Sequence, residues 1–336
     1  VYKPNELKDD TTGIYKRFPK LSTYVKNINK WSVDYSQSVL RLEKCSRGED
    51  FQFSHMSREM SEKLNMEYSE RKYTLYNMGQ DLGQYSTRLV LDAYSECFEN
   101  NKDWENTFRK AITFMYWSTK IEFVLLENSL EEFHSGKRKQ KTVCHLRHVG
   151  STIGFCLSLG WLDFALDLRN RINFALKNEV VNDGGDSFGR RRTQHFLIRL
   201  INSYDGSKDV QRLIETKCAY DAPLLNELIE NWDMKCNERF EEMIIKLCDR
   251  HTHQCRQDSF NGNRYYDFQN LSLEYYYPLE VLSIFFLRKT RGLTNPEIDH
   301  PIMKSGLENI DQTIKPYESE YLSNLLRFAR KSSSKI

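Results

Sequence analysis

The chain has 336 residues, 39% of them hydrophobic and 29% charged, with a formal net charge of +2 and a mean hydropathy of -0.67. So small a charge excludes a global pull toward nucleic acid or an anionic membrane, and no run approaches the ~20 apolar residues of a membrane span. Aromatic residues still make up 13%, while Pro and Gly number only 7 and 15. Sparse punctuation with many rings predicts an all-α fold of amphipathic helices burying Phe, Tyr and Trp on one face. The eight cysteines are irregularly spaced, which fits free thiols in a reducing compartment. The start VYKPNELKDD lacks a basic-then-apolar secretory pattern, so a cytoplasmic protein is expected.

In chain order, residues 21–46 and 55–79 read as long polar helices with thin apolar stripes, Tyr24, Ile28, Trp31 and Tyr35 in the first. Gly79 and Gly83 are expected to bracket a turn before a third helix carrying Leu89, Val90, Ala93 and Tyr94. Residues 104–133 carry Phe108, Ala111, Ile112, Met115 and Tyr116 at helical spacing, with a break expected near Ser118-Thr119. Ser135 to Lys141, SGKRKQK, reads as a solvated linker. It divides the chain into an N-terminal helical part, 1–136, and a C-terminal helical part, 137–336. Helices follow at 143–159, in GWLDFALDLRNRINFALKN, at 193–203, at 207–216, from Asp221-Pro223 and at 236–255. The densest apolar stretch is Tyr275 to Pro301. Leu279, Leu282, Phe285 and Phe286 recur at helical steps, Pro278 suits the first turn, Arg288, Lys289 and Arg291 suit the last, and Gly292 ends it. Pro316 is expected to open the final helix.

Few residues are arranged for chemistry. Cys248, His251 and Cys255 share one helix face, which a metal ion would require, but that face continues Phe240, Met243, Ile244 and Leu247, and no paired CxxC completes a zinc site. The core reading is favoured, with the histidine finding a hydrogen bond. A metal-dependent hydrolase using Cys248, His251 and His253 is the lesser alternative. Asn182 to Asp186 reads as an acidic turn lacking the distal Glu of a calcium loop. No HExxH, GxxxxGK[ST] or GxSxG occurs, so neither a cofactor nor catalysis is expected. Lys137–Lys141 and Arg190–Arg192 are basic runs that a nucleic-acid-binding helical regulator would use.

From Asp221 to Asp249 there are eight acidic residues against three basic ones, a local net of -5. Such a face either lines the exterior of two amphipathic helices or docks on a basic surface. Three stretches, LVLDAYSECFENNKDWENTFRKAITFMYWSTKIEFVLLENSL, LLNELIENWDMKCNERFEEMIIKLCDRHTHQC and YYPLEVLSIFFLRKTRGL followed by NPEIDHPIM, carry a resemblance in order and spacing. They resemble the bacterial immunity proteins that neutralise PoNe-type polymorphic toxin DNases, often type VI secretion effectors. The resemblance implies a bacterial cytoplasmic inhibitor that occludes a toxin's active site and binds neither nucleic acid nor membrane directly. Whether it pairs into a homodimer is left open. The near-neutral total favours one localised acidic contact over mimicry of DNA by the whole surface. The residues expected to make it are Glu227, Glu230, Asp233, Glu238 and Glu241, with Asp299 in the Asp299-His300-Pro301 loop.

Overall fold

The computed structural model describes residues 13–16, 18–30, 35–54, 71–182, 192–207, 223–256, 267–269 and 273–336. The fold is all-α. Its helices are α1 (Leu21–Lys30), α2 (Ser36–Ser46), α3 (Leu75–Phe98), α4 (Trp104–His134), α5 (Leu146–Ser158), α6 (Leu162–Lys177), α7 (Arg192–Asp205), α8 (Pro223–Asn231), α9 (Glu238–Gln254), α10 (Leu279–Thr290) and α11 (Glu320–Ser332). Strands among the described residues are two residues long and form three separate pairs. β1 (Gln52–Phe53) runs antiparallel to β2 (Arg71–Lys72), β3 (Cys144–His145) parallel to β4 (Val181–Asn182), and β5 (Cys255–Arg256) parallel to β6 (Phe268–Gln269). Among the described residues no helix is long and apolar enough to cross a membrane.

The longest helices, α3 and α4, pack along each other. Gly79 and Gly83 do not bracket a turn; both lie inside α3. A Cβ on Gly79 would come within 2.9 Å of Ile121 Cγ2, and one on Gly83 within 2.9 Å of Ser118 Oγ. The pair, one turn apart, lets α4 approach, which offsets the poor helix propensity of glycine. Nor does α4 break at Ser118-Thr119. Ser118 Oγ donates to Gly79 O across the interface at 2.7 Å, and Thr119 Oγ1 donates to Met115 O one turn back at 2.9 Å. Hydroxyls that read as breakers in isolation are thus absorbed by neighbouring carbonyls.

Helix α5 is the hub, touching α4, α6, α7 and α10. Two glycines make this crowding fit. A Cβ on Gly150 would lie 2.8 Å from Gln194 Cα of α7, and one on Gly154 would lie 2.1 Å from Leu279 Cδ1 of α10. Against that hub α10 is buried nearly all round, including Val281, Leu282, Ile284 and Leu287. It ends as expected at Gly292, with φ +69. The final helix starts later than expected. Residues 314–319 are not helical, the Tyr317 amide donates to Thr113 Oγ1 at 2.9 Å, and Ser319 caps α11 by accepting from the Leu322 amide at 3.1 Å. A bond to α4 competes successfully with Pro316 as a helix opener.

Residues 135–140 are exposed, as a linker should be. The hydrophobic core nevertheless runs across them without interruption. Tyr94 Oη donates to Leu273 O at 2.7 Å, and α11 packs on α2. Of the expected helices, residues 55–70 and 208–216 lie outside the described residues.

Buried charge pins the α7–α9 side. The amides of Arg192 and Thr193, at the start of α7, donate to Asp267 at 3.0 and 3.2 Å, and Arg250 Nη2 reaches Asp267 Oδ2 at 2.6 Å. Burial alone would push the carboxyl up, but Arg250 and then Arg192 outweigh it and hold it at about 2.

Three substitutions probe this packing. Gly150→Ala destabilises by about 2 kcal/mol in urea unfolding despite better helix propensity, because the methyl group meets the backbone of α7. Gly79→Ala, where only the Ile121 side chain must yield, stays within about 1 kcal/mol of the parent. Asp267→Asn costs about 3–5 kcal/mol because it removes the negative charge that two buried guanidinium groups face. Its folded pKa is depressed, so its contribution is present above the unfolded value near pH 4 and is lost as pH falls through about 2. Unfolding midpoints across the acid range check this, and Asp267→Asn loses that part of the acid dependence.

Candidate partner-binding surface

The acidic segment folds into a helix–loop–helix. Asn237 caps α9, its Oδ1 accepting from the Phe240 amide at 2.9 Å, which fixes Glu238 and Glu241 in the first turn. Both are exposed, and carboxylates there are stabilised by the helix N-terminus. Glu230 is exposed in the last turn of α8, and Asp233 is exposed in the loop beyond. Carboxylates at a helix C-terminus face the negative end of the dipole, so local helix electrostatics do not account for these two.

What holds the loop beneath them is Arg288 of α10, which is fully buried. Its Nη1 donates to Trp232 O and Met234 O, both at 2.7 Å, its Nη2 to Thr294 O at 2.7 Å, and its Nε to Asn295 Oδ1 at 3.1 Å. The guanidinium lies 3.9 Å from the centroid of Phe240. Burial lowers its pKa from the ordinary value, a shift the nearby Asp233 carboxylate opposes. One side chain thereby joins the exit of α8, the first turn of α9 and the exit of α10. Position alone marked it for the dipole of α10. Its spacing after Val281 and Ile284 is the signal that it faces inward, because those three positions share the apolar side of the helix.

The six expected residues are not equivalent. Glu227 is paired with Arg239 at 2.9 Å. Asp299 is exposed and paired with Lys304. It neighbours His300, whose Nε2 faces Asp249 Oδ1 at 3.4 Å. Asp249 lies far along α9 from Glu238, about 16 Å at 1.5 Å per residue. Asp299 therefore stands apart from the α8–α9 carboxylates. Glu230, Asp233, Glu238 and Glu241 make no ion pair among the described residues. Lys235 and Cys236 are exposed between them, and Arg291 covers Tyr204 and Trp232, with centroids at 5.1 and 5.7 Å. The surface is a mixed one with a surplus of carboxylate.

The other candidates are placed differently. Cys248 and His251 are both wholly buried, and His251 has the expected hydrogen bonds, to Glu280 and to Glu274 O. His253 faces Gly13 O at 2.9 Å. Arg192 is buried beside Asp267, so it cannot reach a phosphate. Arg190, Arg191 and Asp183 to Asp186 lie outside the described residues. In the basic linker Arg138 pairs with Glu132 at 3.8 Å, and Lys141 lies 5.5 Å from the centroid of Phe133. An open cavity of 640 Å³ between α4 and α6 is lined by Glu127, Glu131, Asp167, Arg171 and Phe174, among others. Its carboxylates are already matched, Glu127 and Asp167 to Arg171 and Glu131 to Lys335. Comparison with family models, with curated proteins and with solved structures finds no significant match to this chain.

Arg288→Met should destabilise by about 3 kcal/mol or more, since it leaves buried carbonyl groups without their charged donor. Hydrogen exchange should show the loss first in residues 232–240, before α3 and α4 are affected.

Proposed function

We propose that this protein is a bacterial cytoplasmic immunity protein that binds a cognate antibacterial toxin and occludes its active site without catalysing a reaction. The toxin class implied is a DNase effector of a type VI secretion system. The three stretches resembling the PoNe-immunity family support this reading. The structural observation that carries it is the set of carboxylates Glu230, Asp233, Glu238 and Glu241, exposed, without an ion pair among the described residues, and mounted on two helices and their connecting loop, fastened by Arg288. An enzyme that grips DNA must present cations to phosphate, and rigid carboxylates complement such a groove at little ordering cost. Inhibitory interfaces of this kind bury ~1,600 Å² and rest on a few anchors. The exposed Arg291, spread over Tyr204, supplies an anchor of the favoured type beside the acids.

Co-expression with the toxin encoded beside its gene, followed by growth rescue and co-purification, tests the proposal. Absence of both rescue and complex overturns it. Within a complex, converting Glu230, Asp233, Glu238 and Glu241 to their amides should slow association about tenfold or more at low salt and flatten its salt dependence. Dissociation should change less. An unchanged association rate would remove these four residues from the contact while leaving the rescue result standing.

A further inference from the structure

We propose that His251 is a buried imidazolium whose second proton latches α9 to α10, making the fold sensitive to alkaline pH. The geometry requires a proton in each of the ring's two short contacts. Nε2 lies 2.8 Å from Glu274 O and 3.3 Å from Tyr275 O. A carbonyl oxygen only accepts, so Nε2 carries hydrogen. Nδ1 lies 2.7 Å from Glu280 Oε1, and both side chains are fully buried. Two bare lone pairs at that distance would repel, so a proton lies between them, and the imidazole, the stronger base of the two, takes it.

The surroundings favour the cation. Facing the ring are Glu280 from α10, Glu274 and Tyr275 from the preceding turn, and Cys255 just past α9. The Phe268 ring of β6 covers it at 4.8 Å. The Glu274 carboxylate is itself held by Ser151 Oγ of α5 at 2.6 Å. On α9, Cys248 lies within electrostatic reach of Glu280 and Asp249, and His300, from the loop after α10, is the neighbouring imidazole. Burial opposes a charge on His251, but Glu280 and then Cys255 raise its pKa well above the ordinary value.

The pH direction follows from the sign of that shift. A histidine pKa raised on folding contributes stability that is fully present below its unfolded value, near 6.5, and is lost as pH rises through the folded value. Proton loss to solvent base would leave Glu280 as a buried, unpaired anion against a lone pair. The last two turns of α9, which also hold residues 13–15 through Asp249, Thr252 and His253, would then loosen from α10.

Nitrogen NMR of the imidazole in the intact protein tests this. Both His251 ring nitrogens should show protonated shifts up to at least about pH 8, well above an ordinary histidine. A single unprotonated nitrogen at pH 7 overturns the proposal. In Glu280→Gln, whose amide oxygen keeps the acceptor but drops the charge, His251 should lose its proton at least about one pH unit lower. An unchanged titration in that variant also overturns it. If the variant fails to fold, the reading on the parent protein decides alone.

Discussion

Helix α10 is buried almost all round, yet it carries two charged side chains inward, Glu280 in its first turn and Arg288 in its last. Eight residues separate them, about 12 Å of helix. Glu280 takes His251 of α9, while Arg288 takes the carbonyls of the α8–α9 loop. The acidic helix pair is thereby fastened from behind at two points, one in α9 and one at its entrance. Hydrophobic contact alone is non-directional and would let α8 and α9 slide. Buried polar contacts are directional, and a wrong register leaves them unsatisfied at a cost of several kcal/mol per ion. The geometry of the exposed surface is set by charges that never meet solvent.

Such fastening requires α10 to sit deep, and glycine makes room for it. Gly154 brings α5 against Leu279, and Gly150 brings α5 against α7. Gly160 extends the same logic to the following turn. It adopts φ +79, and a Cβ there would lie 2.0 Å from Gln312 O, so the segment leading to α11 is seated directly on the end of α5. The hub therefore has a small-residue surface toward α7 and α10. Trp161, Phe164 and Tyr116 fill the neighbouring space, with Tyr116 stacked on Phe164 at 3.8 Å.

What the sequence made legible is what depends on local periodicity. The all-α class, the α4 stripe, the exit at Gly292 and the burial of Cys248 and His251 could all be read from spacing, since one helix face decides them. The errors share a cause. Gly79, Gly83, Ser118 and Pro316 mislead when taken by local propensity, because each is decided by a neighbour distant in the chain: α4 for the glycines, Gly79 O for Ser118, and Thr113 for Tyr317. Propensity is a weak prior wherever a tertiary contact supplies the missing partner. The acids were legible as a cluster but not as individuals. Nothing local reveals that Glu227 finds Arg239, that Asp299 finds Lys304, or that a guanidinium lies beneath Asp233.

A surface of carboxylates with no ion pair among the described residues, on a chain of net charge +2, has a consequence for selectivity. Charges farther than the Debye length from a contact, roughly 8 Å at physiological salt, are largely screened, so an approaching partner would sense chiefly the local patch. The total charge then matters little, and a few positioned residues set both attraction and orientation. Glu238 and Glu241 are held at the positive end of α9, whereas Glu230 sits at the negative end of α8, where the local field is unfavourable to it. A cation presented by a partner would relieve that repulsion at Glu230 while only competing with the dipole at Glu238. On the proposed binding, the electrostatic gain would accordingly be largest at the exit of α8, over the loop that Arg288 holds.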